Sequence, residues 1–238
     1  MSDAPGKPRR SASPGGMRLS RQRILTAALD IIDQQGLAGL SMRRLGAALG
    51  VEGMSLYHHF PNKQALLDGV VELVTEAGAP DDAGSDDDWR SLLRRFATSY
   101  RATLLAHPRV LPLVATRPVT TPRSLRAVER SATVLHRAGF TLDQALNIIT
   151  GIACFVIGHT LAEVEPDDGR PDPADGVPVA LAALDPDEFP LLTRALTTGA
   201  GANPDTRFTF TLDSLLAGMD QQRGPTNSAA APADPLSE

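Results

Sequence analysis

The sequence predicts an all-α fold, arranged as an N-terminal three-helix bundle followed by a larger helical domain. Three observations carry this. Apolar residues recur at intervals of three and four through most of the chain, the spacing that lines one face of an α-helix. No segment shows the alternation of a half-buried strand. Helix-ending residues (Gly36, Gly50, Pro61 and Pro108) fall between the periodic segments rather than inside them.

The elements follow in order. "SRQRILTAALDIIDQQG" sets Ile24, Ala27, Ala28, Ile31 and Ile32 on one stripe, and Gly36 closes it. Ser20 and Ser41 are suited to cap the helices that follow them, because a hydroxyl accepts from otherwise unpaired backbone donors. Two very short helices come next, Ser41–Leu49 and Glu52–Phe60, joined at Gly50–Val51. Pro61 ends the second, and a longer helix begins near Asn62, which caps it. After the acidic stretch "GAPDDAGSDDD", a helix from Trp89 to about Ala106 carries Leu92, Leu93, Phe96 and Tyr100. Further helices fit 109–115, 121–138, 141–164, 186–199 and 205–220. Residues 165–180, rich in prolines and acids, read as a mobile loop. Residues 1–17 and 222–238, rich in Pro, Gly, Ser and Ala, read as disordered tails.

Charge divides the chain unevenly. Residues 1–65 hold nine Lys/Arg against four acids, a net of +5, whereas the remainder holds 14 against 24, a net of −10. A basic front on an acidic body points to a local contact with a polyanion, or to a basic tail, since three of the nine precede residue 11. The single cysteine, Cys154, rules out an intrachain disulfide and thiolate-rich zinc sites. It lies in the apolar run "GIACFVIG", where a packed small hydrophobe is expected. The polar N-terminus does not read as a secretory signal, and no uninterrupted apolar stretch has the roughly 18 residues of a membrane span, so a cytoplasmic location is expected.

The pair His58–His59 raises the question of a metal. Adjacent helical residues point about 100° apart, so the two imidazoles cannot readily share one ion, and no third ligand lies nearby in sequence. No GxSxG, Walker loop or HExxH is present, so neither an enzyme nor a cofactor is expected.

The two short helices have the form of a helix-turn-helix. Gly46, Ala47 and Ala48 supply small residues for a helix crossing, and Gly50 suits the turn. Leu40, Leu45, Leu49, Val51, Leu56 and Phe60 are spaced to pin both helices onto the first. In such a unit the second helix enters the DNA major groove. "GLAGLSMRRLGAALGVEGMSLYHHFPNKQALLDGVV" resembles the DNA-binding domain of the TetR family of transcriptional repressors. The rest resembles the tetracycline repressor class through "TRP" at Thr116–Pro118, "AGFTLDQAL" and "GHTLAE".

This resemblance implies a DNA-binding domain at 18–65 and a ligand-binding and dimerisation domain at 66–221. It implies an all-helical homodimer that binds a palindromic double-stranded operator and releases it when a small-molecule inducer enters the larger domain. Implied DNA contacts are Ser41, Met42 and Arg43, then Gly53, Met54, Ser55, Tyr57 and His59, with Lys63 on a phosphate. Gly53 has no side chain with which to read a base, and Met54 offers only apolar contact. Implied cavity residues are Phe96, Tyr100, Thr116, Arg117, Ser131, Asn147, Thr150, Cys154 and Glu163. Leu113 and Ala79 fall where the family's drug-binding histidines would lie, which argues against a magnesium–tetracycline inducer. His107 is expected to act structurally, and His159 either binds an ion or pairs with Glu163 one turn on. The resemblance implies that the helices at 141–164 and 205–220 form a four-helix dimer interface. The alternative is a dimeric DNA-binding regulator without a ligand. Whether an accessible cavity exists separates the two.

Overall fold

The structure is a computed structural model that describes residues 19–77, 88–117, 121–164 and 184–223. The 1–17 tail, nearly all of the 222–238 tail, Ala79, most of the acidic stretch after it, Pro118 and the 165–180 loop lie outside these residues. Among the described residues the architecture is all-helical: α1 Arg21–Gly39, α2 Met42–Leu49, α3 Gly53–Leu56, α4 Lys63–Ala77, α5 Trp89–Ala106, α6 Leu111–Thr116, α7 Pro122–Arg137, α8 Leu142–Glu163, α9 Pro190–Thr198 and α10 Pro204–Asp220. A short 3-10 turn at Pro108–Val110 leads into α6.

Local chemistry sets the boundaries. The hydroxyls of Ser20, Ser41 and Thr121 each accept from a backbone N–H three residues on, and Asn62 does the same for Ala65. Thr141 and Gln144 form a reciprocal capping box at the start of α8. Gly36, at φ 69°, breaks α1, so its last residues form a separate short turn. Gly50, at φ 68°, ends α2 in the left-handed conformation, and its N–H bonds back to Ala47.

The N-terminal head packs as the pattern requires. Leu40, Leu45, Leu56 and Phe60 are buried against Ile24, Ala28 and Ile32, with Leu49 and Val51 half-buried around them. Two expectations need correction. Ala47 and Ala48 are exposed, so Gly46 alone serves the crossing. A Cβ on Gly46 would stand 2.9 Å from both the Gly53 nitrogen and the Val51 carbonyl oxygen. The second helix is also shorter than 52–60: regular α-helix ends at Leu56, and Tyr57 to His59 continue as turns, with the His59 N–H bonding to Leu56 three residues back.

Helix α4 runs through the boundary expected at 65/66 and packs on α1 as well as on α5, α6 and α7. The body is assembled around α8, which packs on α5, α6, α7 and α10. Among the described residues α8 is the one helix long and apolar enough to cross a membrane, with mean hydropathy 1.8 over its most apolar window. Its apolarity has another use here: one face fills the core and the other is left uncovered in the single chain.

Gly46→Ala should destabilise the head by about 1–3 kcal/mol, because the backbone of the turn cannot move aside without breaking its own bonds. The drop is read by thermal melting. A variant that melts with the parent chain would show that the crossing tolerates a methyl group.

Candidate nucleic-acid interface and ligand cavity

The outer surface of the head is formed by α2 and α3. Arg43 is exposed at the start of α2, and Met54 (72% exposed), Tyr57 (44%) and His58 project from α3 and its continuation. Ser55 and His59 are half-buried. Three residues expected on this surface have structural work. Ser41 accepts the Arg44 N–H as the α2 cap, at 3.2 Å. Met42 is half-buried and packs on the core of the head. Gly53 lies against α2, where a Cβ would be 3.3 Å from the Met42 carbonyl oxygen. Its lack of a side chain therefore follows from helix packing.

Several basic residues of the head bond within it. Lys63 donates to the Leu40 carbonyl at 2.6 Å, leaving two ammonium protons for other acceptors. Arg44 reaches Gln35 Oε1 at 2.8 Å and the Gly39 carbonyl at 2.7 Å, which ties α2 to the end of α1. Arg21, a residue that sequence reasoning missed, donates to the His59 carbonyl at 3.3 Å, and its guanidinium lies 4.2 Å from the centre of the Phe60 ring. It thereby fastens the end of the recognition segment to α1.

Behind the head, α4, α5, α6, α7 and α8 line a cavity of about 540 Å³ that is open on one side. Of the residues the family resemblance implied, Phe96, Tyr100, Arg117, Ser131, Thr150 and Cys154 stand on its wall. Cys154 is exposed rather than packed, because the α8 face that carries it is uncovered in one chain. Phe96 and Tyr100 stack at 5.3 Å between centroids. Burial pushes the Tyr100 hydroxyl up to about 12 against the opposing hydrogen bond with Thr75, so it stays a neutral phenol. Sequence reasoning missed Val71, Thr75 and Glu76 on α4, whose side of the helix is fixed only by docking. Burial raises the Glu76 carboxyl, and Arg123, at 2.7 Å, partly offsets that.

Three expected cavity residues lie elsewhere. The Thr116 hydroxyl turns back to the Pro112 carbonyl at 2.8 Å on the exposed side of α6. Asn147 is exposed and donates to Asp143 at 3.0 Å. Glu163 accepts two bonds from Arg101, at 2.9 and 2.6 Å, and pairs with His159, which resolves the alternatives for that histidine toward an internal pair. These three side chains are 13% (Arg101), 6% (Glu163) and 8% (His159) exposed, and Arg101 also meets Asp205 at 2.7 Å. Burial raises the Glu163 carboxyl, but Arg101 outweighs it and holds the group below the ordinary carboxylate range. No cluster of three or more His, Cys, Asp or Glu suited to a metal occurs among the described residues, and Leu113 is buried.

Polar ties join head and body. Arg117, at the end of α6, bonds Asp68 and Gln64 of α4. His107 meets Asp33 at 2.7 Å. Arg109 donates to the carbonyls of Asp33 and Gln34, at 3.2 and 2.7 Å, just where the break at Gly36 ends the regular helix.

A helix-turn-helix head joined to a body that is helical among the described residues and holds a cavity matches two family models. "Bacterial regulatory proteins, tetR family" matches residues 24–70, and "Tetracyclin repressor-like, C-terminal domain" matches 79–223. The chain belongs to the TetR family. It is 33% identical to the tetracycline repressor protein class A from transposon 1721 of Escherichia coli over 208 residues, 87% of this chain and 93% of the relative. It is 30% identical to the HTH-type transcriptional repressor DrrR1 of Streptomyces coeruleorubidus over 235 residues, covering 93% and 85%. The solved structure of the Streptomyces coelicolor TetR family protein ActR in complex with actinorhodin is similar at TM-score 0.73 and 27% identity, covering 87% of this chain and 100% of that one. This TetR family member is thus a transcriptional regulator by family, with a DNA-binding head and a helical C-terminal domain.

Glu163→Gln should cost about 1–2 kcal/mol near neutral pH, since Arg101 and His159 lose the charge they pair with while Arg101 keeps Asp205. The folded carboxyl lies below its unfolded value, so its contribution is full above the unfolded range near ~4.3 and fades as pH falls through the folded value. Melting temperatures of the parent chain and the variant, followed downward from pH 7, should converge at the acid end. A constant gap would show that ionisation of Glu163 contributes nothing.

Proposed function

We propose that this TetR family member is a repressor that binds a palindromic operator as a homodimer and leaves it when a small molecule occupies the cavity. The cavity carries this reading. A constitutive DNA-binding dimer has no use for a drug-sized apolar hole bordered by the helix that supports its recognition unit. ActR, whose solved complex holds actinorhodin, and DrrR1, a repressor by name, support it. In this reading residues 18–65 read DNA and 66–221 bind ligand and dimerise, with α4 shared between them. The cytoplasm is the compartment where such a protein meets its operator.

In the DNA complex Arg43 and Tyr57 contact base edges or phosphates, Met54 offers an apolar contact such as a thymine methyl, and Lys63 brings its two remaining protons to a phosphate. Ligand in the cavity acts on Val71, Thr75 and Glu76, one face of the helix whose first residue is Lys63. Moving α4 changes the separation of the two recognition segments. That separation must match half-sites about 34–36 Å apart or slightly more.

The dimer seam is the uncovered face of α8 with α10. Gly151, Gly158 and Leu161 (54% exposed) on α8, and Phe210 (73%), Ala217 and Gly218 on α10, are all exposed in the single chain. A Cβ on any of the three glycines would meet nothing within 4 Å, so a second backbone has room to approach closely.

Arg43→Ala with Tyr57→Ala should weaken binding to the promoter fragment by about 100-fold, at roughly 1–3 kcal/mol per good contact, as read by fluorescence anisotropy. The pair leaves the Lys63 bond to Leu40 intact. Undiminished binding would rule out this surface as the DNA interface. Leu161→Asp with Phe210→Asp should convert a dimer to a monomer in sedimentation velocity, since the seam would bury four carboxylates. A dimer that persists unchanged would place the interface elsewhere.

A further inference from the structure

Resting on the reading of the cavity as the inducer site, we propose that the inducer is a planar aromatic molecule carrying an anionic group, and that the anion takes Arg117 from Asp68. The charges on the wall point this way. Among the residues that line the cavity, Arg117, Arg130 and Glu76 are the charged ones. Glu76 already has Arg123 as its partner. Arg130 is exposed at the cavity rim and adds a second guanidinium to the wall. Phe96 and Tyr100 supply a stacked aromatic surface, and the remaining lining is mostly apolar, which suits a flat ring system.

Arg117 faces two ways. It lines the cavity, yet its guanidinium is engaged by the Asp68 carboxylate and the Gln64 side chain of α4. The Arg117 side chain is 19% exposed and that of Asp68 is 44% exposed, so one partner is fixed in the wall while the other is half in water. A carboxylate, sulfonate or acidic phenolate in the cavity competes with the half-exposed Asp68 for the same fork, since the guanidinium makes charge-assisted bonds with either. Capture of Arg117 then removes the tie at the head end of α4, while the ring system presses on Val71 and Thr75. The anion and the repositioning of α4 are thereby one event.

Two fluorescent probes of the same ring skeleton test this: 1-anilinonaphthalene-8-sulfonate, an anion, and N-phenyl-1-naphthylamine, which lacks the sulfonate. Both are titrated into the full-length protein and into Arg117→Gln, Asp68→Asn and the cavity-filling Val128→Trp. The anionic probe should bind the parent chain about tenfold more tightly than the neutral one, the value of one bond to a charged group. Arg117→Gln should remove that difference. Asp68→Asn should enlarge it, because the competing carboxylate is gone, and should leave the neutral probe unchanged. Val128→Trp should weaken both probes, and circular dichroism melts establish that each variant folds. Equal affinity for the two probes, or an anion preference indifferent to Asp68→Asn, would overturn the proposal while leaving the cavity as a ligand site. If neither probe binds, or if Val128→Trp folds and changes nothing, the cavity reading falls and this inference with it.

Discussion

Helix α4 has to satisfy two cores at once, and the rest of the molecule is arranged around that constraint. Its inner residues Leu66 and Val70 are buried, and Gly69 lies so close to α1 that a Cβ would stand 2.7 Å from Leu25 Cδ2 and 3.1 Å from the Phe60 ring. Val71 and Thr75, further along the helix, belong to the cavity wall. A close-packed interior transmits a displacement rather than absorbing it. The recognition segment, pinned through Phe60, cannot keep its position if α4 moves.

The ties between head and body differ in kind from those inside the body. Arg117–Asp68 and His107–Asp33 each include at least one partly exposed partner. Ion pairs of this sort contribute about 0–1 kcal/mol each and exchange readily for other partners. Arg101–Glu163, between α5 and the end of α8, is less exposed on both sides (13% and 6%), and loss of a partner there costs more. The polar ties between head and body are thus weak enough to be redirected, while Arg101–Glu163, between two helices of the body, is of the costlier kind.

Much of the fold was legible in the sequence. The helix-turn-helix was read from Gly46, Gly50 and the apolar anchors, and the long helices from their period and their caps. Misreadings had local causes. Ala47 and Ala48 are as small as a crossing requires, but the helix phase turns them to solvent. The apolar run around Cys154 suggested a packed core residue, because a sequence does not distinguish a face that packs within its own chain from one left bare. Glu163 followed the family pattern into the cavity, whereas its actual partner, Arg101, lies 62 residues away and nothing local marks the pair.

By itself the sequence determined what short-range physics controls: where helices start and stop, which stripe of each is apolar, which glycine permits the turn, and that the front of the chain is basic and the body acidic. Tertiary structure alone decided which polar groups meet. It spent Lys63, Arg44 and Arg21 inside the head, turned Thr116 and Asn147 away from the cavity, and brought Val71, Thr75 and Glu76 of α4 onto its wall. The physical reason is range. Capping and periodicity act within a few residues, while the partner of a buried charge, and the side of a helix that lines a hole, are set by neighbours distant in the chain.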